Sequence, residues 1–289
     1  MMTLNEFNNL SEQDAANSLE KCCVSKTWIT TMIQNMPFTS ADEMLHKAAN
    51  IWYNTCLEAD WIEAFQGHPK IGDVNSLKEK FANTTAWATN EQGKVAEADD
   101  VTIQELAIAN SLYEEKYGYI FIVNATGKSA NDILSIIKTR LHNNKGDEIY
   151  VGMNEQHKIT VIRLAKLIEE FSNNVDMSSH ITTHTLDTST GIPANEMLIT
   201  LKGIRDDQWK PISTGITNTD GRIPDVLPAG YKIPSGTYVM IFNTLNYYES
   251  HNQKGFYPEV SIQFTVKDKS HYHIPLLINP FGYTTYRGS

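Results

Sequence analysis

The chain has 289 residues, of which 41% are hydrophobic and 20% charged, a composition typical of a globular protein that is long enough for two hydrophobic cores. Its formal net charge of −10 argues against partners that require clustered Lys and Arg, so we expect the protein to bind neither a nucleic acid nor a membrane surface. The 3 cysteines cannot form a disulfide framework or a four-cysteine zinc site. Neither a leader peptide nor an apolar run long enough to span a bilayer is evident, and we therefore predict a cytoplasmic protein.

Residues 1–172 are predicted to form an all-α helical domain, because apolar residues recur there at helical spacing. Two helix starts carry capping patterns, Ser40 with Glu43 and Ser129 with Asp132. Most apolar side chains of this half are expected only to pack a core.

Polar residues in two connections of this half are candidates for a site. His68 precedes Pro69, and a following proline disfavours helical backbone, so the histidine is predicted to lie on a loop between helices. Glu91 and Gln92 lie in a polar connection before a helix that is expected to begin near Val101.

The last predicted helix of this half, EQHKITVIRLAKLIEEF, carries Arg163 among its apolar side chains. A buried guanidinium without a partner is costly, so Arg163 needs either a partner or a ligand. Taken singly, His68 is better explained as a loop residue, Glu91 as a solvated carboxylate, and Arg163 as a helix residue that is paired or extends its charged end to solvent.

Taken together, HPKIG, NEQ, NSLYEEKYGYIFIVNATGKS and a late helix with an arginine resemble the 2-oxo-4-hydroxy-4-carboxy-5-ureidoimidazoline (OHCU) decarboxylases, an all-helical family. The resemblance covers essentially all of residues 1–172 and implies that His68, Glu91 and Arg163 are catalytic. It also implies substrate contacts from a further set of residues: Pro69, Gln92, Ile120, Phe121, Ile122 and Val123. Many members have Ser three residues before the catalytic Glu, whereas this chain has Ala88, which cannot supply a hydroxyl contact.

The decarboxylation itself places few demands on the protein. The carbon that loses CO₂ lies next to a conjugated C=N bond, so the substrate ring can accept the electron pair and no pyridoxal, thiamine or metal is needed. Arg163 suits a fixed anionic or carbonyl group, Glu91 can hold ureido N–H groups, and His68 can relay a proton near neutral pH. We therefore expect no cofactor.

Residues 173–179 are predicted to be a linker and residues 180–289 an all-β sandwich. At FSNNVDMSSH the helical periodicity gives way to Ser and Asn. Beyond it the apolar period is two, as in EVSIQFTV, and short strands alternate with Gly, Pro and Asp turns.

Several strand and turn residues of this half are candidates for a second site. HITTHTLD places His184 on one strand face, Arg222 follows an Asp-Gly turn, and HYHIPLLI places His271 and His273 opposite its apolar residues. Taken singly, a strand histidine is more often structural or exposed, and an arginine after a turn is usually solvated.

Taken together, THTLD, TDGR, HYHIPLL and the terminal YRGS resemble the 5-hydroxyisourate hydrolases, relatives of transthyretin, over residues 180–289. The resemblance implies that His184, Arg222, His273 and Ser289 are catalytic. It also implies substrate contacts from the rest of the terminal tetrapeptide: Tyr286, Arg287 and Gly288. In that family the site lies in a channel between subunits of a tetramer, so we expect a homotetramer organised by the sandwich domain.

The reaction of that family is the hydrolytic opening of a cyclic amide. No activated Ser or Cys is evident, so water is the expected nucleophile, with His184 or His273 as general base and Arg222 stabilising the oxyanion. A metal site formed by His271, His273 and His184 is the alternative, but no carboxylate or cysteine at ligand spacing supports it. We therefore expect no metal here.

The two resemblances are to consecutive steps of urate breakdown, hydrolysis of 5-hydroxyisourate to OHCU and decarboxylation of OHCU to (S)-allantoin. They predict a bifunctional hydrolase and carboxy-lyase that acts on small molecules. Two alternatives are open: a transthyretin-like ligand carrier fused to a helical interaction module, or an enzyme with only one active domain.

Overall fold

The computed structural model of the chain describes residues 1–68, 100–171, 175–205 and 207–288. The first half is helical, as predicted. Its helices are α1 (Leu4–Asn8), α2 (Glu12–Glu20), α3 (Lys26–Gln34), α4 (Ala41–Asn54), α5 (Glu58–Gln66), α6 (Asp100–Tyr117), α7 (Ala130–Arg140) and α8 (Lys145–Leu167). Within the described ranges, no helix is both long and apolar enough to cross a membrane.

Side-chain caps set the two helix starts that the sequence predicts. The Oγ of Ser40 accepts a hydrogen bond from the backbone N–H of Glu43 at 3.1 Å, which begins α4. At the start of α7, Ser129 and Asp132 form both hydrogen bonds of a capping box. In α4 the box is altered, because the Glu43 carboxylate accepts hydrogen bonds from Thr39.

Helix α8 is longer at its start and shorter at its end than the sequence predicts. It begins at Lys145, where Asn144 caps it, and it ends at Leu167, after which Ile168 forms a bridge with Met2. Its middle is buried on every side, so no apolar stripe marks the true start. The buried polar residues of this middle stretch are Asn154, Glu155, Gln156, His157 and Lys158.

The second half is a β-sandwich, as predicted. Its strands are β1 (Ile181–Asp187), β2 (Ile192–Pro193), β3 (Leu198–Arg205), β4 (Gln208–Ile216), β5 (Arg222–Ile223), β6 (Gly236–Phe242), β7 (Val260–Val266), β8 (Tyr272–Asn279) and β9 (Gly282–Thr285). One sheet has the order β2-β1-β8-β9, with β5 also paired to β1, and the other has the order β4-β3-β6-β7. Strands β1 and β8 run parallel, which places their side chains in register on one face.

The sequence predicted β7 but not the one short helix that the structure describes in this half. In β7, Val260 is buried and Ser261 exposed, as the period of two requires. Helix α9 (Thr244–Ser250) is capped by Asn243, whose Oδ1 accepts a hydrogen bond from the N–H of Asn246 at 3.1 Å. Its 7 residues make only two turns, too few for a readable helical period.

Each half has its own cluster of buried apolar side chains, and the loop after β5 joins them. Ala229 of this loop packs in the helical cluster. A Cβ built on Gly230 would lie 2.5 Å from the Cγ of Leu45, and the rings of Tyr231 and Tyr53 stack with centroids 3.6 Å apart. The two halves are therefore packed directly against each other, a feature that the predicted linker did not indicate.

Candidate active sites

His68 lies two residues beyond the end of α5, on the loop position that the following proline predicts. It is half-buried, and its Nε2 lies 2.7 Å from the Oε1 of Gln156, a fully buried residue of α8. The amide nitrogen of Gln156 lies 3.3 Å from the Oγ1 of Thr160, which orients the amide oxygen toward the histidine. Because an amide oxygen only accepts, His68 Nε2 is the donor, and Nδ1 is the basic nitrogen of the neutral ring.

Arg163 lies on the same face of α8 as Gln156. The two residues are 7 positions apart, which is two helical turns or about 10 Å along the axis. Arg163 is half-buried, and its Nη1 donates a hydrogen bond to the backbone oxygen of Cys22 at 3.3 Å. One partner that its charge requires is therefore a backbone carbonyl.

The predicted residues Pro69, Glu91 and Gln92 lie outside the described residues, as does Ala88. Ser289 does too. Their predicted roles stay predictions, and the described part of the helical site consists of the loop before Pro69 and helix α8 with its neighbours.

Residues 120–123 connect α6 to α7, and a buried arginine holds their backbone. The Nη1 of Arg140 donates to the carbonyl oxygen of Ile122 at 2.7 Å, and its guanidinium lies 4.6 Å from the ring centroid of Phe121. Arg140 is fully buried and forms an ion pair with Glu148 of α8 at 2.6 Å. A buried charge without such a partner would be strongly destabilising.

Sequence reasoning missed Arg140 and Gln156. Arg140 continues the helical spacing of Ile133 and Ile137, the same signal that singled out Arg163. Gln156 carries no comparable signal, because it lies in a polar stretch that is buried only in the folded chain.

Strands β1, β5 and β8 bring together the predicted residues of the second site. His184 lies opposite Arg222 of β5, and His273 of β8 lies opposite Thr182. Side chains at paired positions point to the same face of a sheet, and Thr182 and His184 share one face of β1. His184, Arg222 and His273 therefore lie on one face.

Thr182 joins the two histidines of HYH. Its Oγ1 lies 2.8 Å from the Nε2 of His271 and 2.9 Å from the Nδ1 of His273. A hydroxyl has a single proton, so it can donate to one ring while it accepts from the other. Thr182 thus couples the tautomers of the two rings. Sequence reasoning missed it, because threonine is common in strands.

Burial lowers the pKa of both His184 and His273, and the positive charge of Arg222 lowers each further. Both imidazoles are therefore neutral at neutral pH, the state that a general base needs. In the described part of the chain, no group of three or more His, Cys, Asp and Glu side chains could hold a metal ion. The alternative metal site that includes His271 thus has no support from the described geometry.

The Asp-Gly turn before β5 positions Arg222. Gly221 has φ +69°, and a Cβ there would lie 2.3 Å from the carbonyl oxygen of Thr185, so the turn requires glycine. The Oδ1 of Asn218 accepts a hydrogen bond from the N–H of Arg222 at 2.9 Å. The position of Arg222 is therefore fixed through its backbone.

The last residues of the chain join this site through Gly288. Its N–H donates to the carbonyl oxygen of His273 at 3.1 Å. A Cβ on Gly288 would lie 2.3 Å from the Cδ2 of His273, so only glycine permits this approach. The Arg287 guanidinium lies 5.3 Å from the ring centroid of Tyr272, and Tyr286 is 57% exposed.

A groove of about 340 Å³ lies between β7 and β8, beneath these terminal residues. His273, Tyr286 and Arg287 are among its lining residues, whereas His184 and Arg222 are not. His273 therefore borders both the groove and the face that carries the other two predicted residues.

The sequence matches two known families, one for each half of the chain. The model of the OHCU decarboxylase family matches residues 8–165, and the model of the HIUase/Transthyretin family matches residues 181–288. The Uric acid degradation bifunctional protein TTL of Arabidopsis thaliana is 31% identical, over 93% of this chain and 96% of that protein. The 5-hydroxyisourate hydrolase of Mus musculus is 43% identical, over 39% of this chain and 97% of that protein.

Among solved structures, a crystal structure of (S)-allantoin synthase aligns over 100% of this chain and 100% of its own chain, with 21% identity and a TM-score of 0.47. The decarboxylase match spans more than half of this chain, and the Arabidopsis relative aligns with nearly all of it. The chain therefore belongs to the OHCU decarboxylase family and carries, as its second half, a domain of the HIUase/Transthyretin family.

Proposed function

We propose that the chain catalyses two consecutive reactions of urate breakdown, the hydrolysis of 5-hydroxyisourate to OHCU and the decarboxylation of OHCU to (S)-allantoin. The observation that carries this function is the presence of both families in one chain. It is supported by a relative named as a bifunctional uric acid degradation protein, which aligns across both halves.

In the sandwich half, the roles proposed for His184, Arg222 and His273 are supported by their shared sheet face and by the neutral state of the imidazoles. Either histidine can take a proton from water as the water oxygen bonds to the amide carbon, and Arg222 stabilises the oxyanion that develops. When the C–N bond breaks, the leaving nitrogen takes a proton and the ring opens. Thr182 orients His273 for this role. Ser289 is the fourth proposed catalytic residue, and Tyr286, Arg287 and Gly288 contact the substrate.

In the helical half, His68, Glu91 and Arg163 are the proposed catalytic residues. Arg163 binds an anionic or carbonyl group, Glu91 holds ureido N–H groups, and the electron pair left by CO₂ moves into the conjugated ring. A proton then adds to the carbon on one face, and His68, whose tautomer is fixed by Gln156, can relay it. Pro69, Gln92 and residues 120–123 contact the substrate in this proposal, and no cofactor is required.

The finer organisation is proposed on the same basis. We place an OHCU decarboxylase domain at residues 1–172, a linker at 173–179 and the hydrolase domain at 180–289. We further propose a cytoplasmic homotetramer formed through the sandwich. All 3 cysteines are free and buried, an arrangement that fits a reducing compartment.

The test is to supply freshly generated 5-hydroxyisourate to the full chain and to follow its absorbance and the circular dichroism of the product. We expect the substrate to disappear faster than it does unaided, and the dichroism of a single allantoin enantiomer to develop. Faster disappearance without dichroism would mean that only the hydrolase is active. No acceleration of either step would contradict the enzyme assignment and favour a ligand carrier.

A further inference from the structure

A carboxylate of the sandwich half reaches into the helical half. Asp225 lies three residues after Arg222, in the loop that follows β5. Its Oδ2 accepts a hydrogen bond from the Nδ2 of Asn124 at 3.0 Å and lies 3.6 Å from the Nζ of Lys128 and 3.8 Å from the Nζ of Lys158. One side chain thus contacts three residues of the other half.

Asn124 directly follows the proposed substrate-contacting residues 120–123. Its backbone N–H donates to the Oε2 of Glu155 at 2.7 Å, and the other carboxylate oxygen of Glu155 accepts from Lys158 Nζ at 2.6 Å. Asn124, Glu155 and Lys158 are 7%, 2% and 5% exposed, so water cannot easily replace these bonds. Satisfied polar networks of this kind make the groups they contain rigid.

The network shares helix α8 with His68. Successive residues of a helix are rotated by about 100°, so Glu155 and Lys158 lie on one side of α8 while Gln156, which holds His68, lies on another. Glu155 and Gln156 are adjacent, which places the end of the 120–123 segment and His68 at the same level of the helix. An anchor on Asn124 therefore acts close to the proposed decarboxylase site.

We propose that Asp225, a residue of the sandwich half, is a positioning residue for the decarboxylase site, which it serves by fixing Asn124 and through it the backbone of residues 120–123. This inference rests on the proposed function of the helical half. It makes the second half a structural part of the first half's active site, in addition to its own reaction.

The charges around Asp225 suit a permanent anchor. Burial acts to raise the pKa of this carboxyl, but Lys158 and Lys128 outweigh the burial and lower it to about 2. Asp225 is therefore ionised at every pH at which the enzyme works, and it accepts the Asn124 hydrogen bond as a full negative charge.

The variants Asp225→Ala and Asn124→Ala, made in the full chain, each remove the hydrogen bond between Asn124 Nδ2 and Asp225 Oδ2. Because the affected segment binds substrate, we expect the KM for OHCU to rise about tenfold, with kcat changed by less than about threefold. OHCU is generated in the cuvette by an excess of a separate 5-hydroxyisourate hydrolase, so that any effect on the neighbouring Arg222 does not enter. The initial rate of the allantoin dichroism is the readout.

Two further variants distinguish the positioning of residues 120–123 by Asp225 from a general weakening of the contact between the two halves. Asp225→Asn can accept the same hydrogen bond and should restore the KM to within about twofold of the wild-type value. Asp147→Ala is the matched control, because Asp147 is also a carboxylate between the halves, 3.2 Å from Arg205 and 3.3 Å from Lys210, but belongs to the first turn of α8. It should leave the KM unchanged.

A wild-type KM in Asp225→Ala, or an equal rise in Asp147→Ala, would overturn the inference. Should Asp225→Ala not fold, Asn124→Ala gives the same test from the other partner, and a wild-type KM there would overturn it as well. A wild-type chain that forms no optically active allantoin from OHCU would instead contradict the proposed function.

Discussion

At the scale of single residues, burial and one neighbouring charge set the chemistry of the histidines. His184 and His273 are half-buried and share Arg222 as a positive neighbour, and both effects favour the neutral ring. His157 is fully buried on α8, and neither of its ring nitrogens has a hydrogen-bond partner among the described residues. The first two can serve as bases, whereas His157 is a cost to stability in acid.

Replacing Arg222 should change the pH dependence of ring opening. The base must be neutral, so kcat/KM falls as pH drops through its pKa, which burial and Arg222 hold below the ordinary value. Arg222→Gln removes the positive charge, so the pKa of the histidine base rises. The acidic limb of the kcat/KM profile therefore moves to higher pH. Arg222→Lys keeps the charge and should keep the limb in place. Identical limbs in the Gln variant and the wild type would contradict this electrostatic role.

His157→Phe should make the helical half less sensitive to acid. Burial lowers the pKa of His157 to about 3, from an ordinary value near 6.5. Above pH 6.5 both states are neutral, and below it only the unfolded chain binds the proton, so stability is lost between about pH 6.5 and 3. Between pH 7.5 and 5 the wild type should lose about 2 kcal/mol more unfolding free energy than the variant, measured with urea. Equal losses of unfolding free energy in the wild type and in His157→Phe would contradict this role of His157 in acid sensitivity.

At the scale of secondary-structure elements, those with one face exposed to water could be predicted from the sequence. Elements that are buried on every side could not. Strand β7 alternates buried and exposed residues, so its period is visible in the sequence. Helix α8 runs between its own domain and the sandwich, and its polar residues Asn154 and Lys158 are bonded to Ile212 and Asp225 of the other half. Their partners lie far along the chain, and no local pattern indicates them.

The same contrast holds within the two sites. A strand face and a turn are only weak signals for the histidines and Arg222 taken singly; the resemblance of the combined motifs to the hydrolases predicts them as one site, and the structure brings them together. Thr182 and Gln156 were missed, because only the register of β8 and the path of the His68 loop give them their partners.

Gly288→Ala should impair the hydrolase without unfolding the sandwich. The added Cβ would lie 2.3 Å from the His273 ring, so either the terminal segment or the imidazole must move. We expect kcat/KM for ring opening to fall at least about tenfold, because misplaced catalytic groups are that costly. Gly282→Ala is the control, since its Cβ would have no neighbour closer than 3.5 Å. Wild-type kinetics in Gly288→Ala would show that the terminus is dispensable.

At the scale of the whole molecule, the sandwich is proposed to assemble the tetramer while it also anchors the helical half. Light scattering at micromolar concentration should therefore give the mass of four chains of 32.6 kDa each. Dilution should lower the hydrolase activity in parallel with the mass. A monomer with full hydrolase activity would contradict the proposed site between subunits.

The claim that one chain carries two separate sites is tested most directly by giving 5-hydroxyisourate to His68→Ala and His273→Ala and following absorbance and circular dichroism together. His273→Ala should slow ring opening by roughly 10²–10⁴-fold and still decarboxylate OHCU supplied by another hydrolase. His68→Ala should open the ring at the wild-type rate but yield allantoin slowly and without optical activity, because solvent protonates both faces equally. Optically active (S)-allantoin at the wild-type rate from His68→Ala, or loss of both steps in His273→Ala, would contradict the claim.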